Sequence, residues 1–537
     1  MKRFFALALV LALTLAALTI PASAEEAPKV LNWYLSGEVT TMDSTKTYDT
    51  LSGEAVAYFS DTLYRLDQEA EAQPNLAVGQ PVISEDGLTV TVTIRDDAYY
   101  SNGEKIVAGD IVYAARRIYD PAVGSLNTNT VGLVNADAVR AGEVPVEELG
   151  IRALSDTELE ISLTAPDPYI TKKLADTAFA PVSQAFVEAQ GDQYGLSADA
   201  LLSSGPFVLT DWTGADISWK YVKNPYYWDA ENIYFDEITI TVVKDANTAI
   251  NLYEAGQLDG VLLTTDFVAY YEGTEDLVKI PSLRMTNLEL GISATEALQN
   301  LNIRKALLYG LDREELCSAV LNGAAVPAVG AIPDGIATNP ETGASVAEDF
   351  GVLVYTDIEA AQRYFAAGLE ELGLSSLTLR LVTSDTDESV KIGTYLKSAY
   401  ETNLPGLTID LANVPSSVRF EEMMSYNFAL ALGGWTGDYD PTSYPNQFEA
   451  SYPHNHGQWD AQELTDLINA LNNEDGTDFA ARWEHLRQAN QHLIDNVVVV
   501  PLEQAVNNYL VNPSLKGYIT RQLGSGAFDL TRAYFGE

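Results

Sequence analysis

Residues 433–445 read GGWTGDYDPTSYP, and an apolar run, FALAL at residues 428–432, leads directly into them. The apolar run is typical of a buried strand in a covered sheet. The paired glycines predict the end of this strand and a close approach by another backbone or a ligand. A strand end that carries Trp435, Asp438 and Tyr439 is where an α/β sheet tends to place its ligand. The alternative is a structural loop in which Asp438 accepts hydrogen bonds from backbone N–H groups.

The region around this stretch alternates between predicted strands and helices from residue 302 onwards. Asp312 and Asp357 each precede an amphipathic run and predict the starts of two helices. Residues 377–382 and 497–502 predict strands. Such alternation is typical of an α/β unit.

The first half of the mature chain has a different character. Residues 55–66 have helical spacing, whereas residues 89–94 alternate strictly, as a half-buried antiparallel strand does. Residues 69–198 therefore predict a small α+β lobe of their own, and residues 199–292 predict a more strand-rich region.

Composition restricts the class of partner. The chain has 537 residues, so two or three domains are expected. Its net charge of -45 excludes nucleic acid as a plausible partner and argues against docking on an anionic membrane. The only cysteine, Cys317, lies in a predicted helix, where a packing role is expected and an intrachain disulfide is impossible.

Residues 1–24 have the pattern of an export signal. Lys2 and Arg3 precede an apolar run over residues 4–20, and residues 22–24 (ASA) fit a cleavage site after Ala24. The alternative is an uncleaved membrane anchor, for which the run is short. No cysteine follows the run, so no lipid attachment of the lipoprotein type is expected.

Motifs of catalysis and metal binding are sparse. His454 and His456 form a His-x-His pair in a loop, but no third ligand is evident, so we expect neither a metal site nor a cofactor. The sequence has no Gly-x-Ser-x-Gly elbow and no His-Glu-x-x-His helix. A secreted hydrolase remains an alternative, but a protein without enzymatic activity is favoured.

Four blocks, in order along the chain, resemble the extracytoplasmic oligopeptide- and dipeptide-binding proteins of ABC importers, the bacterial extracellular solute-binding proteins of family 5. The blocks are LTVTVTIRD with SNGE and AGDIVY (residues 88–113), SGPF with KNPYYW (residues 204–228), NIRKAL with LDR (residues 302–313), and WTGDY with PT (residues 435–442). They cover most of the mature chain.

The resemblance implies an α/β fold of the type II periplasmic-binding-protein class, a clamshell of two main lobes with a third lobe appended. The implied division is a signal peptide at 1–24, lobe I at 25–68, 199–292 and 508–537, lobe II at 69–198, and lobe III at 293–507. Lobe III would close on lobe I and enclose the ligand.

The resemblance also implies a binding site. Asp438 is similar in position to the aspartate that holds the α-ammonium group of the peptide in peptide-specific members. Strand-like backbone at Gly433–Thr436 and at Tyr48–Thr50 would form hydrogen bonds with the peptide backbone. Such hydrogen bonds do not depend on the side chains of the peptide, so they do not select its sequence. The full set of expected ligand residues is Asp438, Trp435, Gly433, Gly434, Thr436, Tyr439, Tyr48, Asp49, Thr50 and Glu289.

The function that the resemblance implies is capture of oligopeptides by an exported, monomeric protein and their delivery to a membrane permease. The location would be the periplasm or the cell envelope. A dipeptide, nickel-chelate or oligosaccharide ligand on the same fold stays open. Leu432 occupies a position where some peptide binders use arginine towards the carboxyl end of the peptide, so recognition of that end stays open as well.

Overall fold

The computed structural model describes residues 28–127, 131–522 and 526–536. The predicted export signal and its cleavage after Ala24 lie outside the described residues and stay predictions. Within the described ranges, no helix combines the length and the apolar character that crossing a bilayer requires.

The strands are numbered in chain order. They are β1 (Val30–Leu35), β2 (Tyr64–Leu66), β3 (Ala72–Pro74), β4 (Val82–Ile83), β5 (Thr89–Thr93), β6 (Ile151–Ser155), β7 (Glu158–Ser162), β8 (Phe207–Thr210), β9 (Ser218–Lys223), β10 (Glu237–Val242), β11 (Gly260–Leu263), β12 (Leu277–Leu290), β13 (Ala325–Pro327), β14 (Leu377–Ser384), β15 (Leu407–Val414), β16 (Leu430–Thr436), β17 (Val499–Val511), β18 (Leu515–Lys516), β19 (Ile519–Thr520), β20 (Phe528–Asp529) and β21 (Tyr534–Phe535).

The α-helices are numbered in the same way. They are α1 (Thr50–Ala57), α2 (Ala108–Tyr119), α3 (Ala136–Arg140), α4 (Ile170–Lys173), α5 (Gln184–Gln190), α6 (Ala246–Glu254), α7 (Thr265–Val268), α8 (Glu296–Gln299), α9 (Leu301–Tyr309), α10 (Arg313–Glu315), α11 (Val346–Phe350), α12 (Ile358–Leu372), α13 (Asp387–Asn403), α14 (Ser416–Met424), α15 (Ser443–Asn446), α16 (Gln462–Asn469) and α17 (Phe479–Asp495). Short π-helical turns follow α10 and α16.

Three sheets organise these elements. The first has the order β1-β10-β9-β8, with β1 and β10 parallel and the other pairs antiparallel. The second, β4-β5-β7-β6, is antiparallel throughout. The third has seven strands in the order β11-β17-β12-β16-β14-β15, with β13 also paired to β17. Parallel and antiparallel pairs therefore coexist, and with the helices they confirm the expected α/β class.

Two long strands, β12 and β17, run side by side through the middle of the third sheet. The first part of β12 pairs with the last part of β17, beside β11, and the remainder pairs next to β16. The register between the two strands shifts between Pro281 and Met285. Ile280 packs in one core, whereas Leu283 and Met285 pack in another, so the shift lies where one core gives way to the next.

The smaller of these cores joins distant parts of the chain. It includes Trp33, Trp219, Ile238 and Phe528. Segments near both ends of the described chain therefore pack against segments from its middle. The larger core includes strands of both the second and the third sheet. The borders proposed for the three lobes remain predictions.

Local helix signals were predicted more accurately than helix lengths. Asp312 and Asp357 are the N-caps of α10 and α12, as expected, because each carboxylate accepts a hydrogen bond from a backbone N–H three residues later. The helix predicted over residues 55–66 is wrong: α1 ends at Ala57, and β2 begins at Tyr64. Cys317 is buried, as its position in a predicted helix suggested.

Candidate functional site

Strand β16 passes through both glycines and ends at Thr436, so the prediction that the glycines stop the strand is wrong. It pairs antiparallel with β12 along its whole length. A Cβ atom on Gly433 would collide with the carboxylate of Glu289, which lies on β12. Glycine is therefore needed at this position because a side chain from the neighbouring strand occupies the space, and not because the chain turns.

The other edge of β16 has no partner strand over its last five residues, although the Leu432 carbonyl accepts a hydrogen bond from the Arg419 side chain. Strand β14 pairs with it only at Leu430 and Ala431, and no other strand of the described chain flanks residues 432–436 on that side. Unpaired backbone N–H and C=O groups at such an edge can pair with an added extended segment.

Asp438 lies two residues beyond β16, in a loop that hydrogen bonds hold in place. The backbone N–H of Asp440 donates to its Oδ1 at 2.8 Å. The N–H of Gly437 donates to the Tyr444 hydroxyl at 3.0 Å, and that hydroxyl donates in turn to the carbonyl of Leu283. A purely structural role in the loop thus uses one carboxylate oxygen of Asp438 as a hydrogen-bond acceptor. It gives no role to the other oxygen.

Burial raises the pKa of Asp438 above its ordinary value. The Asp440 N–H and the positive charge of Lys173 act in the opposite direction, but the loss of solvent outweighs them. No basic side chain in the described ranges lies within ion-pair distance of Asp438, whereas the neighbouring Asp440 pairs with Arg482 at 2.7 Å. A carboxylate in this state would be stabilised by an incoming cation.

A cavity of about 600 Å³ contains this carboxylate. Several distant parts of the chain line it, among them residues 33–54 around β1 and α1, the segment of Asp176 and Thr177, residues 436–439 at and after the end of β16, and residues from β17 onwards. Its walls include Trp33, Thr47, Tyr48, Asp49, Thr50, Glu54, Asp176, Thr436, Gly437, Asp438, Tyr439, Tyr509 and Arg521.

The structure divides the ten expected ligand residues into two groups. The residues that line the large cavity are Tyr48, Asp49, Thr50, Thr436, Asp438 and Tyr439. The residues that line a second cavity, of about 200 Å³, are Gly433, Gly434, Trp435 and Glu289. The division falls between Trp435 and Thr436, so the part of β16 before Thr436 borders the second cavity and the end of the strand borders the large one.

Asp49 has a clear structural role in the cavity wall. It is the N-cap of α1, and its carboxylate accepts hydrogen bonds from the Ser52 N–H at 2.9 Å and from the Thr40 hydroxyl at 2.5 Å. Burial alone would raise the pKa of Asp49, but these hydrogen bonds outweigh it, and the pKa is lowered.

Three charged residues of the large cavity had no signal in the sequence. Burial raises the pKa of Glu54 to about 7, despite a hydrogen bond from the Trp33 side chain. Burial also raises the pKa of Asp176, whose carboxylate accepts the Ala178 N–H at 2.9 Å. The Arg521 guanidinium is engaged by Asp529. Their proximity arises from tertiary packing of distant segments, which no local pattern reports.

Around the histidine pair, as in the rest of the described chain, no group of three or more potential metal ligands is found. His456 Nδ1 lies 2.5 Å from a Glu289 carboxylate oxygen, and the rings of His454 and His456 are 5.5 Å apart. The pair instead belongs to the wall of the second cavity.

Comparison with known proteins gives consistent matches over nearly the whole chain. The model of the middle part of the bacterial extracellular solute-binding proteins, family 5, matches residues 71–455. A dipeptide-binding protein of Lactococcus lactis subsp. cremoris is 32% identical over 527 residues, which cover 94% of this chain and 94% of that protein. The oligopeptide-binding protein OppA of Bacillus subtilis is 28% identical over 503 residues, with 91% and 89% covered.

Solved structures agree in fold. Listeria monocytogenes OppA bound to peptide superposes with a TM-score of 0.70 at 29% identity, over 95% of this chain and 100% of that one. The unliganded open form of the periplasmic murein tripeptide-binding protein MppA has a TM-score of 0.82 over 95% and 98% of the two chains; at 22% identity it shows a shared fold alone. The type II binding-protein fold that the resemblance implied is confirmed.

Proposed function

We propose that this chain, which belongs to the bacterial extracellular solute-binding proteins of family 5, is the substrate-binding component of an ABC transporter and captures oligopeptides in its large cavity. The observation that carries the proposal is the carboxylate of Asp438, which is largely buried in a cavity of about 600 Å³ without a basic partner among the described residues. The relatives, a dipeptide-binding and an oligopeptide-binding protein by name, support the same class of ligand.

The α-ammonium group of a peptide is the cation that Asp438 would receive. A carboxylate about 4 Å from an ammonium gains roughly 4 kcal/mol at the effective dielectric of a site near the protein surface. The remaining length of the peptide would pair with the open edge of β16 through its backbone, which binds peptides of many sequences. Tyr48 and Thr50, on the opposite wall, would contact the same ligand.

The lobes proposed from the resemblance give this capture a mechanism. Lobe III would close on lobe I by a movement about β12 and β17, and lobe II would be appended to them. The proposed bounds are 25–68, 199–292 and 508–537 for lobe I, 69–198 for lobe II and 293–507 for lobe III. Closure would remove water from around Asp438 and strengthen its ion pair with the ligand.

The cellular setting follows from the same proposal. A monomeric protein exported to the periplasm or cell envelope would present its closed form to a membrane permease, which would move the peptide inward. The protein itself would carry out no chemical step, and it would need no metal and no cofactor.

The decisive measurement compares a short peptide with its N-acetylated form by calorimetry. Acetylation removes the cation and leaves the backbone intact, so we expect at least tenfold weaker binding of the acetylated peptide. A mass-spectrometric inventory of ligands that co-purify with the protein is the complementary test. Peptides with free amino termini would support the proposal, whereas glycans or a nickel chelate would overturn it.

A further inference from the structure

Glu54 lies at the boundary between two cavities. Its side chain contributes to the wall of the large cavity that contains Asp438, and also to the wall of a small cavity of about 40 Å³. It belongs to α1, and the segment that leads into β20 packs against it. A Cβ atom on Gly526 would lie 2.8 Å from Glu54 Cγ. The Glu54 side chain is therefore closely confined between the helix and this segment.

No basic group of the cavity wall neutralises Glu54. Among the described residues of that wall, Arg521 is the one arginine and no lysine is present. The Arg521 guanidinium is engaged by Asp529. Glu54 receives a hydrogen bond from the Trp33 side chain, which offsets burial only in part, so its pKa is raised to about 7. A buried carboxylate costs free energy unless a cation pairs with it.

The carboxylates of the large cavity differ in their bonds to the backbone. Asp49 and Asp176 each accept a backbone N–H as the N-cap of a helical turn. Asp438 accepts one as well. Glu54 accepts no backbone N–H in the described part of the chain, so no structural role of this kind accounts for it.

Tyrosine hydroxyls surround the Glu54 carboxylate. Burial raises the pKa of all four of them, and the negative charge of Glu54 adds to the increase; they are Tyr34, Tyr58, Tyr221 and Tyr509. They stay neutral between pH 5 and pH 8, so they neither cancel the charge of Glu54 nor titrate with it. Tyr58 is 3% exposed, and its hydroxyl has no hydrogen-bond partner among the described residues.

The large cavity also offers aromatic surface beside this carboxylate. Five aromatic side chains line it: Trp33, Tyr34, Tyr48, Tyr439 and Tyr509. Aromatic faces attract cations, and the methylene groups of a long basic side chain pack well on apolar surface. A carboxylate with aromatic neighbours and no basic partner is therefore suited to the side chain of lysine or arginine.

We propose that Glu54 binds the cationic side chain of a lysine or arginine residue of the captured peptide while Asp438 holds its α-ammonium group. The inference rests on the proposed function and names the class of peptide that the cavity prefers. It also gives a reason for a buried carboxylate that the fold itself does not need.

The test is a scan of short alanine peptides in which each position in turn carries lysine or norleucine, measured by calorimetry at pH 8. Norleucine lacks the ammonium group and keeps the apolar stem. At one position we expect lysine to bind at least tenfold more tightly than norleucine, and at the others less than threefold. In Glu54→Gln the preference at that position should fall below threefold.

Proton release supplies a second readout, which a merely structural role of Glu54 would not change. At pH 7 a carboxyl group with a pKa of about 7 is half protonated, and a bound cation would ionise it fully. Calorimetry in two buffers of different ionisation enthalpy should show about half a proton more released with the lysine peptide than with the norleucine peptide. Glu54→Gln should abolish this difference.

Glu38→Gln is the matched control. It makes the same chemical change at a carboxylate that already pairs with Lys244 on the surface, and it should keep the full preference for lysine. Equal affinities of the two peptides at every position, or a preference that persists in Glu54→Gln, would overturn the inference. A preference that is lost in Asp176→Asn and kept in Glu54→Gln would also overturn it, because the cation would then pair with Asp176.

N-acetylated versions of the same peptides separate this inference from the proposed function. If acetylation weakens binding and lysine gives no advantage, only the side-chain site is wrong. If no peptide binds, the proposed function fails first.

Discussion

Asp438 and Asp49 line the same cavity and differ in their hydrogen bonds. Asp49 accepts hydrogen bonds from Ser52 and Thr40, and its pKa is lowered. Asp438 accepts one, from Asp440, and burial raises its pKa. A place in the cavity wall therefore does not by itself make a ligand residue. The carboxylate that its own fold leaves unsatisfied is the one available to a cation, and each prediction below tests that distinction.

The largest expected effect is on affinity. Asp438→Asn should weaken binding of a free-amino peptide at least tenfold at pH 7, because removing one partner of a buried charge pair costs about 2–5 kcal/mol. Binding of the N-acetylated peptide should change little. Calorimetry of both peptides with both proteins measures the difference, and equal losses for the two peptides would remove Asp438 from the ammonium site.

The same variant should alter the pH profile of binding. Below the raised pKa of Asp438, wild-type affinity should fall about tenfold per pH unit as the carboxylate binds a proton. It should fall again above about pH 8, where α-amino groups lose theirs. Asp438→Asn should keep only the alkaline decline. An acid decline that persists in the variant would assign it to another group.

Glu54 extends the comparison to stability. Its pKa is raised from 4.5 to about 7, so the folded state binds more protons than the unfolded state between these values, and stability falls as pH rises through them. Glu54→Gln should therefore be more stable than the wild type at pH 8, by up to about 3 kcal/mol at 1.36 kcal/mol per pKa unit.

Chemical denaturation at pH 4.5 and pH 8 measures this effect. The difference between the variant and the wild type should be small at pH 4.5 and should grow towards pH 8. A variant that is destabilised equally at both values would show that the Glu54 carboxylate contributes a specific contact rather than a buried charge.

The smallest effect is expected at Asp49. Asp49→Ala removes the N-cap of α1 and should lower the free energy of unfolding by about 1 kcal/mol. Peptide affinity should change less than threefold, in contrast to Asp438→Asn. Thermal unfolding and calorimetry on the same samples provide both values. A loss of affinity without a loss of stability would show that Asp49 acts as a ligand residue and not as a helix cap.

Features that depend on a few neighbouring residues were predictable. The caps at Asp312 and Asp357 are satisfied within three residues, so the sequence around each contains the whole signal. The space beside Gly433 is occupied by the side chain of Glu289, which is 144 positions earlier in the chain. A local pattern can report that a glycine is present but not which distant side chain requires it.

The candidate site was predictable in part for the same reason. The motif around Asp438 marks the loop, yet the adjacent residues Trp435 and Thr436 line two different cavities. Glu54 belongs to no motif. Burial gives Glu54 its unusual pKa, and this burial arises only after the sheets have packed.

The position of β17 also determines when the chain can fold. Strands β11, β12 and β13 all pair with it, yet it is the last of the seven strands of its sheet to be synthesised. A nascent chain of 498 residues therefore lacks the strand that connects β11 and β13 to β12 in its largest sheet. Final assembly of this sheet therefore has to follow synthesis of almost the entire polypeptide.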